Sequence, residues 1–96
     1  MWDQVGKLSV YHGDVPAEVR LLKLTEEVGE VADAFIGMHG LNRRKGVCRT
    51  RDDLLAELAD VIITAAVAMS GVTGDVNEAR SHFERRLAAV TERAGL

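Results

Sequence analysis

The chain has 96 residues, of which 47% are hydrophobic and 28% are charged, and this is the composition of one globular domain spanning 1–96 rather than of a disordered segment. The formal net charge of −3 argues against a general nucleic-acid-binding protein, because such proteins gather positive charge on one face. A single cysteine, Cys48, excludes an internal disulfide, and the N-terminus does not resemble a secretory leader, so we expect a cytoplasmic protein.

Two helices and a loop are predicted in the first half of the chain. Weak apolar spacing over residues 1–11 predicts a short first helix. Pro16 is suited to the first turn of a second helix, which should run to Ile36 or Met38. The glycines and basic residues of 38–50 then predict a loop.

Two further helices are predicted in the second half. Thr50 is suited to cap the N-terminus of a third helix that continues to Met69 or Ser70. Gly71 and the residues after it are expected to end this helix, and a fourth helix should span 76–93. The chain is therefore predicted to be all-α, with four helices of which the first is short.

The third predicted helix is almost entirely apolar. Between residues 54 and 69 the exceptions are Glu57, Asp60 and Thr64, so this helix should be central in the fold. Its two acids argue against a membrane span. A buried helix in so short a chain predicts that partner subunits complete the core, as in a homodimer or a homotetramer.

Acidic side chains are predicted to share one face of the second helix. Glu26, Glu27 and Glu30 fall together with Lys23 in a band about 100° wide at the helical angle of about 100° per residue. Like charges at this spacing repel one another, so a neighbouring cation is expected. Taken alone, however, this band is equally typical of a solvated helix face.

Glu57 and Asp60 give the stronger signal. They are three residues apart on the apolar third helix, which has no basic residue beside them. A carboxylate in an apolar wall is costly unless it is paired or binds a metal. Antiparallel packing of the second and third helices would bring the two acidic faces together.

Oxygen ligands without a nearby histidine or cysteine favour a hard divalent cation, Mg²⁺ or Mn²⁺, over zinc or copper. A di-iron bundle is disfavoured, because its Glu-x-x-His pairs are absent here. The three histidines, His12, His39 and His82, are interpreted as surface or loop residues.

Two segments carry a family resemblance. The sequences LKLTEEVGEVA, at residues 22–32, and LAELADV, at residues 55–61, closely resemble the characteristic segments of the MazG-like all-α nucleotide pyrophosphohydrolases. The helical plan of that family covers nearly the whole chain. Five acids on two helices in register make the resemblance more specific than one short motif.

The resemblance implies magnesium-dependent hydrolysis of a (deoxy)nucleoside triphosphate to the monophosphate and pyrophosphate, as in the removal of unwanted nucleotides. It implies that four acidic residues bind the metal and that a fifth, Glu26, holds or activates the attacking water. Arg86 and Arg93 are candidates for binding the phosphates, and Lys23 either binds a phosphate or makes an ordinary i,i+4 pair with Glu27. The implied metal ligands are Glu27, Glu30, Glu57 and Asp60.

Alternatives remain open at this point. The acidic pattern is similar to that of phosphoribosyl-ATP pyrophosphohydrolase, and a non-enzymatic helical oligomerisation module with a structural ion would need the same apolar third helix. Trp2 is interpreted as a core residue, although it could stack on a nucleobase. The basic loop from Arg43 to Arg51 could close over phosphates or be solvated.

Overall fold

The computed structural model describes residues 1–96, and it contains four α-helices and no strand. Helix α1 spans Trp2–His12, α2 spans Ala17–His39, α3 spans Arg51–Thr73 and α4 spans Val76–Arg93. The all-α class and the order of four helices, the first of them short, are confirmed, and α4 has the predicted bounds.

The residues at their N-caps determine where α2 and α3 begin. Pro16 is the N-cap of α2, one residue before the predicted position, where its missing N–H costs no helical hydrogen bond. Thr50 caps α3 as predicted: its hydroxyl accepts a hydrogen bond from the Asp53 N–H at 3.1 Å, and the Asp53 carboxylate accepts from the Thr50 N–H at 2.8 Å. This reciprocal pair fixes the first turn of α3.

The predicted end of α3 at Met69 or Ser70 was wrong, because Gly71 lies inside the helix. A Cβ atom at Gly71 would lie 3.0 Å from Cδ of Arg20, so the glycine allows the arginine side chain to cross close to α3. The helix ends instead at Gly74, whose φ of 73° is in the left-handed region.

Helices α2 and α3 form an antiparallel hairpin, and α3 contacts all three other helices. Arg20, near the start of α2, donates a hydrogen bond at 3.3 Å to the carbonyl oxygen of Val67, near the end of α3. Helix α4 packs against α3 and α1 and makes no contact with α2. The predicted central position of α3 is therefore confirmed within one chain.

The core of one chain is small. Its main cluster is Val5, Ala66 and Val67, with Trp2 partly buried against them and its ring centroid 5.7 Å from that of Phe83. No large side chain is fully buried, and the radius of gyration is 16.1 Å, against about 12 to 13 Å for a compact chain of this length. The single chain thus leaves much apolar surface uncovered.

The uncovered surface includes apolar stripes on three helices, each with helical spacing. The stripe on α3 lies on the side of the helix opposite Glu57 and Asp60. By length and composition alone α3 could also cross a membrane, and 22% of its most apolar stretch is buried within the chain; a core helix of a soluble protein passes the same test. The exposed stripes are Leu21, Val28 and Phe35 on α2, Leu55, Leu58 and Ile62 on α3, and Phe83, Leu87 and Val90 on α4.

Arg20 connects three parts of the chain, and its replacement should destabilise the fold. The residue is 8% exposed, and its guanidinium donates to the Ser9 hydroxyl and the Gly13 carbonyl, both at 3.0 Å, as well as to the Val67 carbonyl. Arg20→Met keeps the apolar stem but removes all of these charge-assisted hydrogen bonds, so we expect the free energy of unfolding to fall by about 2–3 kcal/mol. Urea denaturation measures the change.

The matched control is Arg80→Met on the exposed face of α4, where the arginine pairs only with Glu84. This variant should lose less than about 1 kcal/mol. Equal losses in the two variants would contradict the connecting role of Arg20.

Candidate metal centre

The hairpin brings carboxylates from both helices to one place. Glu27 of α2 and Glu57 and Asp60 of α3 each offer an oxygen, and these three oxygens lie within 4.8 Å of one another. Glu57 and Asp60 share a face because they are three residues apart on a helix. The predicted meeting of the two acidic faces is confirmed for these three residues.

Glu30 adjoins the three residues and completes what we call the acidic cluster: Glu27, Glu30, Glu57 and Asp60. Burial raises the pKa of Glu27, and repulsion by Glu30 adds to the increase. Burial also raises the pKa of Glu57, together with a hydrogen bond and charge repulsion from Glu30. Burial and the neighbouring carboxylates therefore make Glu27 and Glu57 harder to ionise.

Two oxygen atoms of the cluster lack any hydrogen-bond partner. Oε2 of Glu27 and Oε2 of Glu57 are both buried and unpaired. A buried carboxylate oxygen in that state is costly, and a cation would satisfy it. Two ligands on opposite sides of Mg²⁺ lie about 4.2 Å apart, so oxygens within 4.8 Å need only small side-chain adjustments to share one ion. The residues present fit a hard divalent cation.

One expectation about burial needs correction. Glu27 is buried and Glu57 is partly buried, but Asp60 is exposed in the single chain. No apolar wall therefore encloses Asp60 within one chain. Glu27 and Glu57, rather than Asp60, are therefore the carboxylates that most need a cation.

Lys23 and Glu26 lie at one end of the cluster. Lys23 Nζ is 3.4 Å from a carboxylate oxygen of Glu26 and 3.7 Å from one of Glu27. The charge of Glu26 raises the pKa of Lys23, which is consistent with a stable ammonium group there. The Glu26 side chain is 61% exposed and is not among the three carboxylates that converge, so its carboxylate is accessible to solvent.

Arg49 lies at the other end, and sequence reasoning did not single it out. Its guanidinium donates a hydrogen bond at 3.0 Å to the Asp33 carboxylate and counteracts the increase in the pKa of Glu57. Its position depends on the path of the loop after α2, which spacing does not specify. The one available signal was its place in the basic loop directly before the Thr50 cap.

The α4 arginines are not gathered with these residues. Arg86 and Arg93 are exposed and make no ion pair, and α4 does not contact α2 in the single chain. Their role in binding phosphate stays a prediction. The three histidines are exposed, as expected.

A cavity of about 320 Å³ adjoins the Lys23 end of the cluster. Its walls are mostly apolar and come from α1, the connection after it, α2 and α3. Arg20 and Lys23 supply positive charge to the lining, and Thr64, one helical turn beyond Asp60, supplies a hydroxyl. The cavity therefore continues, from the carboxylates, along the line of contact between α2 and α3, which we call the α2–α3 seam.

No protein-family model, no curated protein and no solved structure matches this chain.

Proposed function

We propose that this protein is a magnesium-dependent pyrophosphohydrolase of the MazG-like kind, acting on a (deoxy)nucleoside triphosphate. The observation that carries the proposal is the convergence of Glu27, Glu57 and Asp60, with two buried carboxylate oxygens that lack a partner. Such an arrangement is unfavourable for stability alone, and functional sites are where strongly perturbed carboxylates gather.

Glu27, Glu30, Glu57 and Asp60 would hold the ion, with Mn²⁺ as a possible substitute for Mg²⁺. When bound, magnesium supplies positive charge to the phosphate oxygens and makes an attacking water more acidic. The exposed Glu26 carboxylate can accept the proton that the water loses as its oxygen attacks phosphorus. The bond between the α-phosphorus and the bridging oxygen breaks, and the monophosphate and pyrophosphate leave.

The surroundings of the cluster support an anionic, nucleoside-bearing substrate. Lys23 and Arg49 place one cation at each end of the carboxylates, where phosphate oxygens would need charge. The adjoining cavity of about 320 Å³ is within the size range of small-molecule pockets and has the apolar walls that a base or sugar prefers.

The same proposal includes assembly and location. The exposed stripes on α2, α3 and α4 call for cover by a second copy of the chain, so we propose a homodimer or homotetramer that is cytoplasmic and binds neither nucleic acid nor a membrane. In that assembly Arg86 and Arg93 of a partner's α4 could approach the phosphates.

The test is pyrophosphate release measured over a panel of canonical and modified (deoxy)nucleoside triphosphates, with and without magnesium. We expect release from at least one triphosphate that stops when EDTA is added. Release from phosphoribosyl-ATP alone would assign the chain to the related activity. No release and no magnesium-dependent binding of a non-hydrolysable triphosphate by a stable oligomer would favour the non-enzymatic module and contradict the proposal.

A further inference from the structure

We propose that Arg49 binds the two phosphates that leave as pyrophosphate, so that the substrate lies along the α2–α3 seam with its nucleoside at the α1 end. This inference rests on the proposed function and assigns a residue and a direction to it. Three observations carry it: the way the loop holds Arg49, the free donors of its side chain, and the position of the cavity.

The loop before α3 is held tightly against α2 at Gly37. The backbone N–H groups of Cys48 and Arg49 both donate to the Gly37 carbonyl oxygen, at 2.9 and 3.4 Å. Gly37 has no side chain, and a Cβ atom there would overlap Cγ of Arg49 and lie 3.1 Å from the Cys48 sulfur. Gly37 therefore makes the space in which the Arg49 stem lies, and the stem is fixed near the C-terminal end of α2, from where the charge of Arg49 acts on Glu57.

The guanidinium of Arg49 has spare capacity for an anion. It makes one hydrogen bond, to Asp33, although an arginine carries five N–H donors in a planar fork. Both side chains of this pair are partly exposed, at 36% for Arg49 and 61% for Asp33, and exposed ion pairs contribute little to stability. A phosphate can therefore replace or join Asp33 at small cost, and the fork suits two phosphate oxygens at once.

The two cations of the site lie at opposite ends. Lys23 is beside Glu27, whereas Arg49 is paired to Asp33, ten residues or about 15 Å further along α2. The cavity includes Lys23 in its lining and does not include Arg49. With the nucleoside in the cavity and the metal at the carboxylates between the cations, the terminal phosphates extend towards Arg49.

Binding of inorganic pyrophosphate and of nucleoside monophosphates, measured by calorimetry with magnesium present, tests this direction. Arg49→Gln should weaken pyrophosphate binding by about ten- to a hundredfold, the effect of losing charge-assisted hydrogen bonds, and should change monophosphate binding less than about twofold. Arg49→Lys should restore part of the loss, because it keeps the charge without the fork. Asp33→Asn, which frees the guanidinium, should strengthen pyrophosphate binding.

Arg80→Gln is the matched control, since Arg80 is also an exposed arginine paired with one carboxylate, on α4 and outside the candidate site. It should leave both affinities unchanged. Circular dichroism checks that each variant keeps its helices.

The inference is overturned if Arg49→Gln leaves pyrophosphate binding unchanged, if it weakens monophosphate binding equally, or if the wild-type protein binds no pyrophosphate. If the wild-type protein hydrolyses triphosphates but Arg49→Gln binds pyrophosphate normally, this inference alone is contradicted. If Arg49→Gln selectively loses pyrophosphate binding but the wild-type protein hydrolyses nothing, the proposed activity is contradicted and the Arg49 binding site is supported.

Discussion

Glu57→Gln is expected to lower magnesium-dependent pyrophosphate release on the order of a thousandfold while making the metal-free protein more stable. Glutamine keeps the shape of glutamate but removes the charge that the ion needs. The loss of activity follows because Glu57 has a buried, unpaired oxygen in the cluster and shares the site with Glu27 and Asp60. Steady-state release of pyrophosphate on the best substrate of the panel measures it.

The gain in stability follows from the raised pKa of Glu57, whose ordinary value is 4.5. A carboxyl group with a higher pKa in the folded state binds its proton more tightly there than in the unfolded chain. Its stabilising contribution is therefore full below the ordinary pKa and is lost as pH rises through the folded value. At pH 7 ionised Glu57 destabilises the metal-free fold, and Glu57→Gln removes that repulsion.

Urea unfolding at pH 7 and pH 4, with EDTA, should show the variant more stable than the wild type at pH 7 and nearly equal to it at pH 4. Adding magnesium should stabilise the wild type and have little effect on the variant. The control is Glu92→Gln on α4, an exposed glutamate outside any ion pair. A Glu57→Gln protein with wild-type activity would contradict the metal assignment, and one that is less stable than the wild type at pH 7 would contradict the electrostatic argument.

Ile62→Asp is expected to dissociate the proposed homo-oligomer and to reduce stability by at least about 3 kcal/mol per subunit, since it places a charge where a large apolar side chain should be covered. Ile62 is 57% exposed in the single chain and belongs to the α3 stripe opposite the acidic cluster. Sedimentation velocity should give an oligomer for the wild type and a monomer or unfolded chain for the variant.

Val10→Asp is the control for this experiment, because Val10 is 81% exposed on α1 and lies outside the three stripes. It should keep the oligomer and most of the stability. A wild-type protein that is a stable monomer, or an Ile62→Asp protein that assembles as the wild type does, would show that the stripes are not the contact between copies.

The sequence predicted the helices and the acidic cluster because both depend on local spacing. Glu57 and Asp60 share a face in any helix, and a hairpin of two such helices brings that face to Glu27. The fit of Thr50 as a cap is equally local, since its partner Asp53 is three residues away. Apart from the antiparallel packing of α2 against α3, these predictions needed no knowledge of contacts between distant segments.

The features that sequence reasoning missed depend on distant contacts. Gly71 has the sequence character of a helix end, but its role is set by Arg20, which crosses α3 from a position 51 residues earlier. Arg49 joins the site only because the loop is bound at Gly37. The exposure of Asp60 likewise depends on which surfaces of α3 the rest of the chain covers.

The α2–α3 hairpin has a consequence for how this protein can change. Every carboxylate of the acidic cluster, and both cations beside it, comes from one continuous segment, residues 23–60, whereas α1 and α4 pack around the other end of α3. The candidate metal centre is therefore encoded in one hairpin, separate from the helices that pack against it. If copies associate as proposed, substitutions in α4 would alter that association without changing any candidate ligand, and the same hairpin could be grafted onto other helical partners.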